Sequence, residues 1–321
     1  MPMVRLALTI LFAPVFFLLA AVCAGAAVAG QFGRERLAFD VLNHLAPIWL
    51  AGALAALLAG LLFRGLARWL IVSMAAVGVA ACVALMAPEY LRGAGPKAPA
   101  GASERMKLIQ FNVWDKNVDV AATVDWLARQ DADIIVLEEP FPALREALAD
   151  RTGMHIVCPD CDVSIASKAA PLPGRSGRLF PPGIGPTAYA TYRDGRGEFT
   201  VIGIHDAWPT DGDDQQRQEA QLARGIAKFP RQRTIVSGDF NSAPWSFSRR
   251  RWDKAFGLVR RDRAVFSWPA GKVTRRRYRE PIAILPIDHV FAGEGWATVS
   301  VTRGPQLGSD HYPLIAVLAP R

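Results

Sequence analysis

The chain has 321 residues, 51% of them hydrophobic and 21% charged, with a net charge of +8 and a positive mean hydropathy of +0.16. That balance is too apolar for an ordinary soluble enzyme, and the excess is concentrated at one end. With only four cysteines and one close pair among them, a zinc site built from two cysteine pairs is excluded.

Three runs near the N-terminus carry no charged residue: Leu6 to Gly33, Val41 to Phe63 and Trp69 to Pro88. Each exceeds the ~18 apolar residues that mark a membrane span. They predict three transmembrane helices over about 6–30, 41–63 and 69–88, with Trp69 at an interface. No acidic or basic residue lies inside them to line a polar pathway, which disfavours a transporter. Arg5, Arg64 and Arg68 fall on one side and Arg34, Arg36, Arg92 and Lys97 on the other, so the balance of basic residues does not decide orientation. Ala27-x-Ala29 has the form of a signal-peptidase site. Whether it is cleaved, or left intact with the N-terminus inside, the C-terminal part emerges outside the membrane. The expectation is a multi-pass protein of the inner (cytoplasmic) membrane with residues 1–91 as its membrane region. Residues 92–105 read as a Gly/Pro/Ala linker.

Residues 106–321 form one further domain, long enough for a substantial core. Lys107 to Val113 reads as a strand, Val118 to Gln130 as a helix, Ile134 to Leu137 as a buried strand and Ala143 to Asp150 as a short helix. Strands follow at Val163 to Ala166, Thr187 to Arg193 and Glu198 to Ile204, then a two-faced helix from Asp213 to Phe229. Arg233 to Ser237, Pro286 to Phe291, Ala297 to Thr302 and Leu314 to Leu318 complete the strands. The pattern predicts packed sheets covered by helices, an α/β layered sandwich. Cys158-Pro-Asp-Cys161 predicts a local disulfide in an oxidising compartment, while Cys23 and Cys82 read as packing residues.

Polar residues collect where these strands end: Asn112, Glu138 and Glu139, His205, Asp239 and Asn241, Asp288 and His289, Asp310 and His311. In Gly238-Asp239-Phe240-Asn241 the acid and the amide share one face by the period of two, and Phe240 points back into the fold. Carboxylate and carbonyl oxygens with few soft ligands suit a hard cation such as Mg²⁺ or Mn²⁺. The arginine runs 249–251 and 275–277 with Arg279 read either as solvated loops or as a basic rim for a polyanion or an anionic membrane surface.

In order along the chain, Phe111-Asn112-Val113, Leu137-Glu138-Glu139, His205 with Pro209, Gly238-Asp239-Phe240-Asn241, Ile287-Asp288-His289 and Ser309-Asp310-His311-x-Pro313 resemble the endonuclease/exonuclease/phosphatase superfamily of metal-dependent phosphoesterases. The resemblance implies a four-layer, DNase-I-like α/β sandwich with its site at one edge of two packed sheets. It implies Glu139 as principal metal ligand, with Asn112 and Asp310 completing or adjoining the site, although Glu138 stands where the family has Gln. It implies Asp239 as the group that orients or deprotonates water, Asn241 as a donor to phosphate, and His311, oriented by Asp288, as the phosphate-facing imidazole. His205 resembles the second imidazole. His289 reads as structural, because the period of two turns it away from Asp288. Lys168 stands in the place of a family Arg, and Arg250 and Arg251 are placed at the entrance, with Trp245 and Trp268 available to stack on a base or cover a lipid. The expected partner is a phosphoester, either nucleic acid or phospholipid, at a membrane, with no obligate protein partner. A catalytically silent, anion-binding membrane module is the alternative of a different class.

Overall fold

The computed structural model describes residues 2–99, 101–271 and 282–321. The chain divides into two compact units, Met1–Arg92 with Trp245–Arg250, and Gly93–Pro244 with Arg251–Arg321.

The first unit is helical: α1 (Pro2–Gln31), α2 (Leu37–His44), α3 (Ala46–Gly60) and α4 (Gly65–Leu91). Two helices, over Thr9–Arg34 and Gly65–Leu91, are long and apolar enough to cross a membrane. The second expected span is not one helix. It is broken into α2 and α3, bent by 64°, and the pair counts as a crossing only if taken together. The break has a local cause. Pro47 lies in the first turn of α3 and has no N–H for the carbonyl of Asn43 four residues before it. That carbonyl accepts the indole N–H of Trp245 at 2.8 Å instead. One turn earlier, the buried Asp40 carboxylate accepts the backbone N–H groups of Phe247 (3.0 Å) and Ser248 (2.7 Å), capping the helix that begins there. Small residues let the long helices approach closely: Ala20, Ala53, Ala56 and Ala75 are fully buried, and Gly78 lies against Ala24 and Ala53. Helices α1 and α4 run parallel. Thr9 to Phe17 share a groove with Ala67 to Ile71, and farther along Gln31 donates to the Ala81 carbonyl at 3.2 Å.

The second unit begins with β1 (Met106–Asn112), α5 (Val120–Arg129), β2 (Ile134–Glu138), α6 (Pro142–Thr152), β3 (His155–Val157) and β4 (Val163–Ser167). It continues through β5 (Ser176–Gly177), β6 (Thr187–Asp194), β7 (Gly197–His205), α7 (Gly212–Ile226) and β8 (Thr234–Asp239). Then follow α8 (Phe247–Phe256), of which the second unit holds the part from Arg251, β9 (Val259–Arg260), β10 (Asp288–Ala292), β11 (Trp296–Arg303) and β12 (Leu314–Pro320). The strands make two six-stranded sheets, ordered β11-β12-β1-β2-β4-β3 and β5-β6-β7-β8-β10-β9.

The period of two sorts side chains between layers. Leu108, Val136, Ile165, Ala188, Val201, Ile235, Val290 and Ala316 fill the space between the sheets. Ile109, Phe111, Ile135 and Leu137 face outward onto Leu127 of α5 and Leu144 and Leu148 of α6. On the far side Ile202, Ile204, Val236 and Phe291 pack with Leu222 and Ile226 of α7 and Phe256 of α8. The result is the expected four-layer α/β sandwich of DNase-I-like type. Gly203 lets the sheets approach closely: a methyl group there would meet Val136 Cγ1 and Val163 Cγ1 of the opposite sheet at 2.8 Å.

Candidate active site

Strand register assembles the polar residues before any side chain is considered. In the second sheet His205 of β7 pairs with Asp239 of β8, and Asp239 with Asp288 of β10. Directly paired residues project to one face, so an imidazole and two carboxylates form a row across three strands. In the first sheet Asn112 of β1 pairs with Glu138 of β2. Both rows carry the inward parity of the apolar core, at the strand ends where that core stops.

The two sheets meet through hydrogen bonds. Gln110 Nε2, fully buried, donates to Asp288 Oδ1 at 2.6 Å and to Glu138 Oε2 at 2.9 Å. Asp288 Oδ2 lies 2.9 Å from His311 Nδ1, and His311 Nε2 lies 3.5 Å from Asp239 Oδ2. Asn112 Nδ2 donates to Asp239 Oδ2 and to Glu139 Oε1, both at 3.1 Å. His205 Nε2 stands 3.7 Å from Asp239 Oδ2 and 3.8 Å from Glu139 Oε1. The loops that present these groups are conformationally unusual: Trp114, Glu139 and Asn241 have φ of 56°, 52° and 46°. Left-handed conformations at three non-glycine residues around one cluster are backbone cost retained at a functional site. Glu139 is held there by its own N–H, which donates to the Asp162 carbonyl at 2.8 Å. Asp162 directly follows Cys161, and Cys158 and Cys161 form a disulfide.

Electrostatics separates the acids. Burial opposes charge on His311, but the carboxylates of Asp288 and Asp239 outweigh it and push the imidazole up to about 10, so the ring is cationic at neutral pH. Burial likewise raises Asp288, and the His311 charge overrides it to hold the carboxyl below its ordinary value. For Asp239 burial prevails over the pull of His311, and its carboxyl is raised. Glu138 is raised well above the ordinary carboxylate range by burial and by the charges of Asp288 and Asp239. It is therefore a neutral acid between the sheets, whereas Glu139, with 29% of its side chain exposed, faces solvent. The two adjacent glutamates are thereby distinguished.

The donor set suits a hard divalent cation. Glu139 Oε1 and Asp239 Oδ2 converge on the same amide and the same imidazole nitrogen, and the buried Asn241 Oδ1 has no hydrogen-bond partner among the described residues. Convergent oxygens with an orphaned acceptor beside them match the ligands Mg²⁺ and Mn²⁺ prefer. Asp239, Asp288 and His311 also bring ligand atoms within 4.8 Å of one another. We read that trio as a proton network, because both nitrogens of His311 already face carboxylates and its proton supplies the positive charge.

Several expectations are revised. Lys168 is at the wrong end of the sheet: β4 runs antiparallel to β2, with Ser167 beside Ile134 and Val163 beside Glu138, and Lys168 pairs with Asp131 (2.7 Å) and Asp133 (3.5 Å). Arg250 belongs to the helical unit, where its guanidinium donates to the Leu85 carbonyl. Arg249 is fully buried and Arg251 exposed, while Arg275 to Arg277 and Arg279 lie outside the described residues. Trp245 is buried and hydrogen-bonded in the helical unit, so it offers no stacking face. Asn241 Nδ2 gives one N–H to the Asp206 carbonyl at 2.8 Å, which leaves its second N–H and its Oδ1 for a ligand. The Asn112 oxygen accepts Trp114 N–H at 3.0 Å, so its nitrogen and not its oxygen faces the carboxylates. The Asp310 carboxylate accepts the indole N–H of Trp268 at 3.3 Å.

Two residues escaped the sequence reading. Gln110 shares the inward parity of Leu108 and Asn112, so a polar residue on a core-facing row was the available signal. Trp208, half exposed, meets Trp268 edge to face at 5.8 Å, and nothing in its spacing marked it.

The same architecture recurs in solved structures. An endonuclease/exonuclease/phosphatase from Bacteroides vulgatus aligns with a TM-score of 0.55 at 14% identity, covering 68% of this chain and 99% of that one. D. rerio TDP2, complexed with single strand DNA product, aligns at 0.53 and 13%, covering 67% and 98%. The mannosyl-6-phosphatase Bt3783 of Bacteroides thetaiotaomicron aligns at 0.53 and 13%, covering 67% and 99%. At such identities the likeness is one of fold. A search of curated proteins finds no match to the chain. The family itself is settled by sequence: the model of the Endonuclease/Exonuclease/phosphatase family matches residues 109–311, a segment that runs from β1 to His311 and takes in every residue of the cluster. The chain belongs to the endonuclease/exonuclease/phosphatase family.

Proposed function

We propose that the protein is a membrane-anchored, divalent-metal-dependent phosphoesterase that hydrolyses a phosphodiester. The observation that carries this reading is the convergence of Asn112, Glu139, His205 and His311 on Asp239 Oδ2 or its immediate neighbours. Asp239, with its raised carboxyl, is the base: Oδ2 takes a proton from the attacking water as the water oxygen bonds to phosphorus and the opposite P–O bond breaks. His311 stays charged and offers Nε2–H to the non-bridging oxygens, where negative charge builds in the transition state. Asp288, itself fixed by Gln110, holds the His311 ring by its Nδ1–H. His205 acts as the second imidazole, and Asn241 Oδ1 orients the water. Glu139 would hold Mg²⁺ or Mn²⁺, with Asn112 setting its distance from Asp239 and Asp310 adjoining; the ion would neutralise phosphoryl charge when bound.

Residues 1–91 serve as the membrane region, 92–105 as a linker and 106–321 as the catalytic domain. With α1 and α4 parallel and both crossing the bilayer, the chain returns between them, which supports α2 and α3 as one broken crossing and the two ends of the helical unit on opposite sides. The Cys158–Cys161 disulfide favours an oxidising compartment for the second unit, hence an extracytoplasmic site at the inner membrane.

The test is the detergent-purified full chain with Mg²⁺ or Mn²⁺ on bis(p-nitrophenyl) phosphate, p-nitrophenyl phosphate, DNA and phospholipid vesicles. Metal-dependent turnover lost in Asp239→Ala and His311→Ala supports the reading; no turnover of any substrate, or variants equal to wild type, sinks it. A nuclease loses activity steeply with added salt as phosphate contacts release counterions. Turnover confined to vesicles identifies a lipid phosphodiesterase.

A further inference from the structure

A second buried Asp–His pair lies on the other side of the catalytic strand. Asp288 and His289 are consecutive in β10 and project to opposite faces, Asp288 to His311 and His289 outward to Asp262. His289 is fully buried and Asp262 nearly so. His289 Nδ1 lies 2.8 Å from Asp262 Oδ2, and Nε2 lies 2.9 Å from the carbonyl oxygen of Ser242. Both ring nitrogens meet acceptors, so a ring with hydrogen on each satisfies both. The other Asp262 oxygen accepts Val290 N–H at 2.9 Å, which ties the acid to the same strand, and Arg260 Nη1 lies 3.5 Å from Oδ2. Burial alone would raise the Asp262 carboxyl, but His289 and then Arg260 outweigh it and hold it well below its ordinary value.

Ser242 follows Asn241, whose φ of 46° must be imposed by its surroundings. Three constraints act on that turn. Asn241 N–H donates to Asp239 Oδ1 at 2.8 Å, Phe240 packs on the His289 ring at 5.6 Å, and His289 fixes the carbonyl that closes the turn. We propose that Asp262 and His289 are positioning residues that hold the Asp239–Ser242 turn in its reactive conformation, so that one strand serves the site from both faces. The inference rests on Asp239 and Asn241 acting as described above.

The test uses the full chain in detergent, with bis(p-nitrophenyl) phosphate and Mn²⁺, and compares wild type, His289→Phe, His289→Gln, Asp262→Asn and Asp239→Ala. In His289→Phe the ring is kept and both donors are lost. Its kcat is expected to fall by about 10- to 100-fold, the scale of a small misplacement of reacting groups, with KM nearly unchanged. Exchange of the Asn241 amide hydrogen in metal-free protein is expected to quicken. His289→Gln keeps a donor for the Ser242 carbonyl and is expected to regain most of the lost kcat and exchange protection. A folded His289→Phe protein with wild-type kcat and exchange overturns the proposal, as does a Gln variant no better than Phe. If the Phe variant does not fold, Asp262→Asn decides in the same way: lower kcat at constant KM with faster exchange supports it, and unchanged values overturn it. Asp239→Ala separates the two readings. Should it equal wild type, the catalytic assignment fails; should it alone be inactive, only the positioning role fails.

Discussion

His311 illustrates how two neighbours decide the chemistry of one side chain. Free imidazole titrates near 6.5, and in the folded protein the ring is pushed up to about 10 by the carboxylates of Asp288 and Asp239 against the opposing effect of burial. A raised pKa means that the folded state holds the proton more tightly than the unfolded one. The stabilisation is fully present below pH 6.5 and is lost as pH rises through 10. Denaturant midpoints measured at pH 7 and pH 10 are therefore expected to fall for wild type by more than for His311→Gln, which lacks the titrating ring. Equal drops in the two proteins would show that the ring is not held protonated. The same comparison applied to turnover predicts an alkaline limb that depends on His311, since the Nε2–H offered to phosphate disappears when the ring is neutral.

Elements place these residues where local sequence cannot. The parallel pair β7–β8 and the antiparallel pair β8–β10 together align His205, Asp239 and Asp288, and the bonds from Gln110 and Asn112 of the other sheet to that row exist only while the sheets stay at their observed spacing. Gly203 maintains it, since a methyl group would press on Val136 and Val163 at 2.8 Å. Gly203→Ala is expected to destabilise the protein by ~1–3 kcal/mol, the usual cost of overpacking a filled core, and equilibrium unfolding in denaturant measures it. In the helical unit the corresponding element-scale contact is the Asp40 carboxylate on the N–H groups of Phe247 and Ser248. Asp40→Ala leaves those donors without their cap and is expected to cost about 1–2 kcal/mol, read as a lower melting temperature in detergent. Asp40→Asn keeps an acceptor and should lose less.

For the whole molecule, the parallel course of α1 and α4 makes a topological demand on the membrane anchoring proposed above. Reporters fused at the N-terminus and at the C-terminus are expected on opposite sides of the membrane, the C-terminal one accessible to protease added to spheroplasts. Alkaline carbonate is expected to leave the full chain in the membrane pellet. Reporters on the same side would remove the broken α2–α3 pair as a crossing and leave two spans.

The sequence by itself determined the class of the molecule. Runs without charge announced helices long and apolar enough to cross a membrane, and the alternation of apolar strands with two-faced helices announced the layered sandwich, because both signals are written in local periodicity. It also marked Asn112, Glu139, His205, Asp239, Asp288 and His311, since polar residues at the ends of buried strands stand out against an apolar background. Tertiary structure alone decided their partners. Strand direction sent Lys168 to the far end of the sheet, and sheet-to-sheet packing made Glu138 a neutral acid while leaving Glu139 open to solvent. Proline geometry broke the second apolar run and gave its orphaned carbonyl to Trp245. Composition and period describe which face a residue occupies; which group waits across the gap depends on how separate strands are brought together, and that information is carried by no single stretch of the chain.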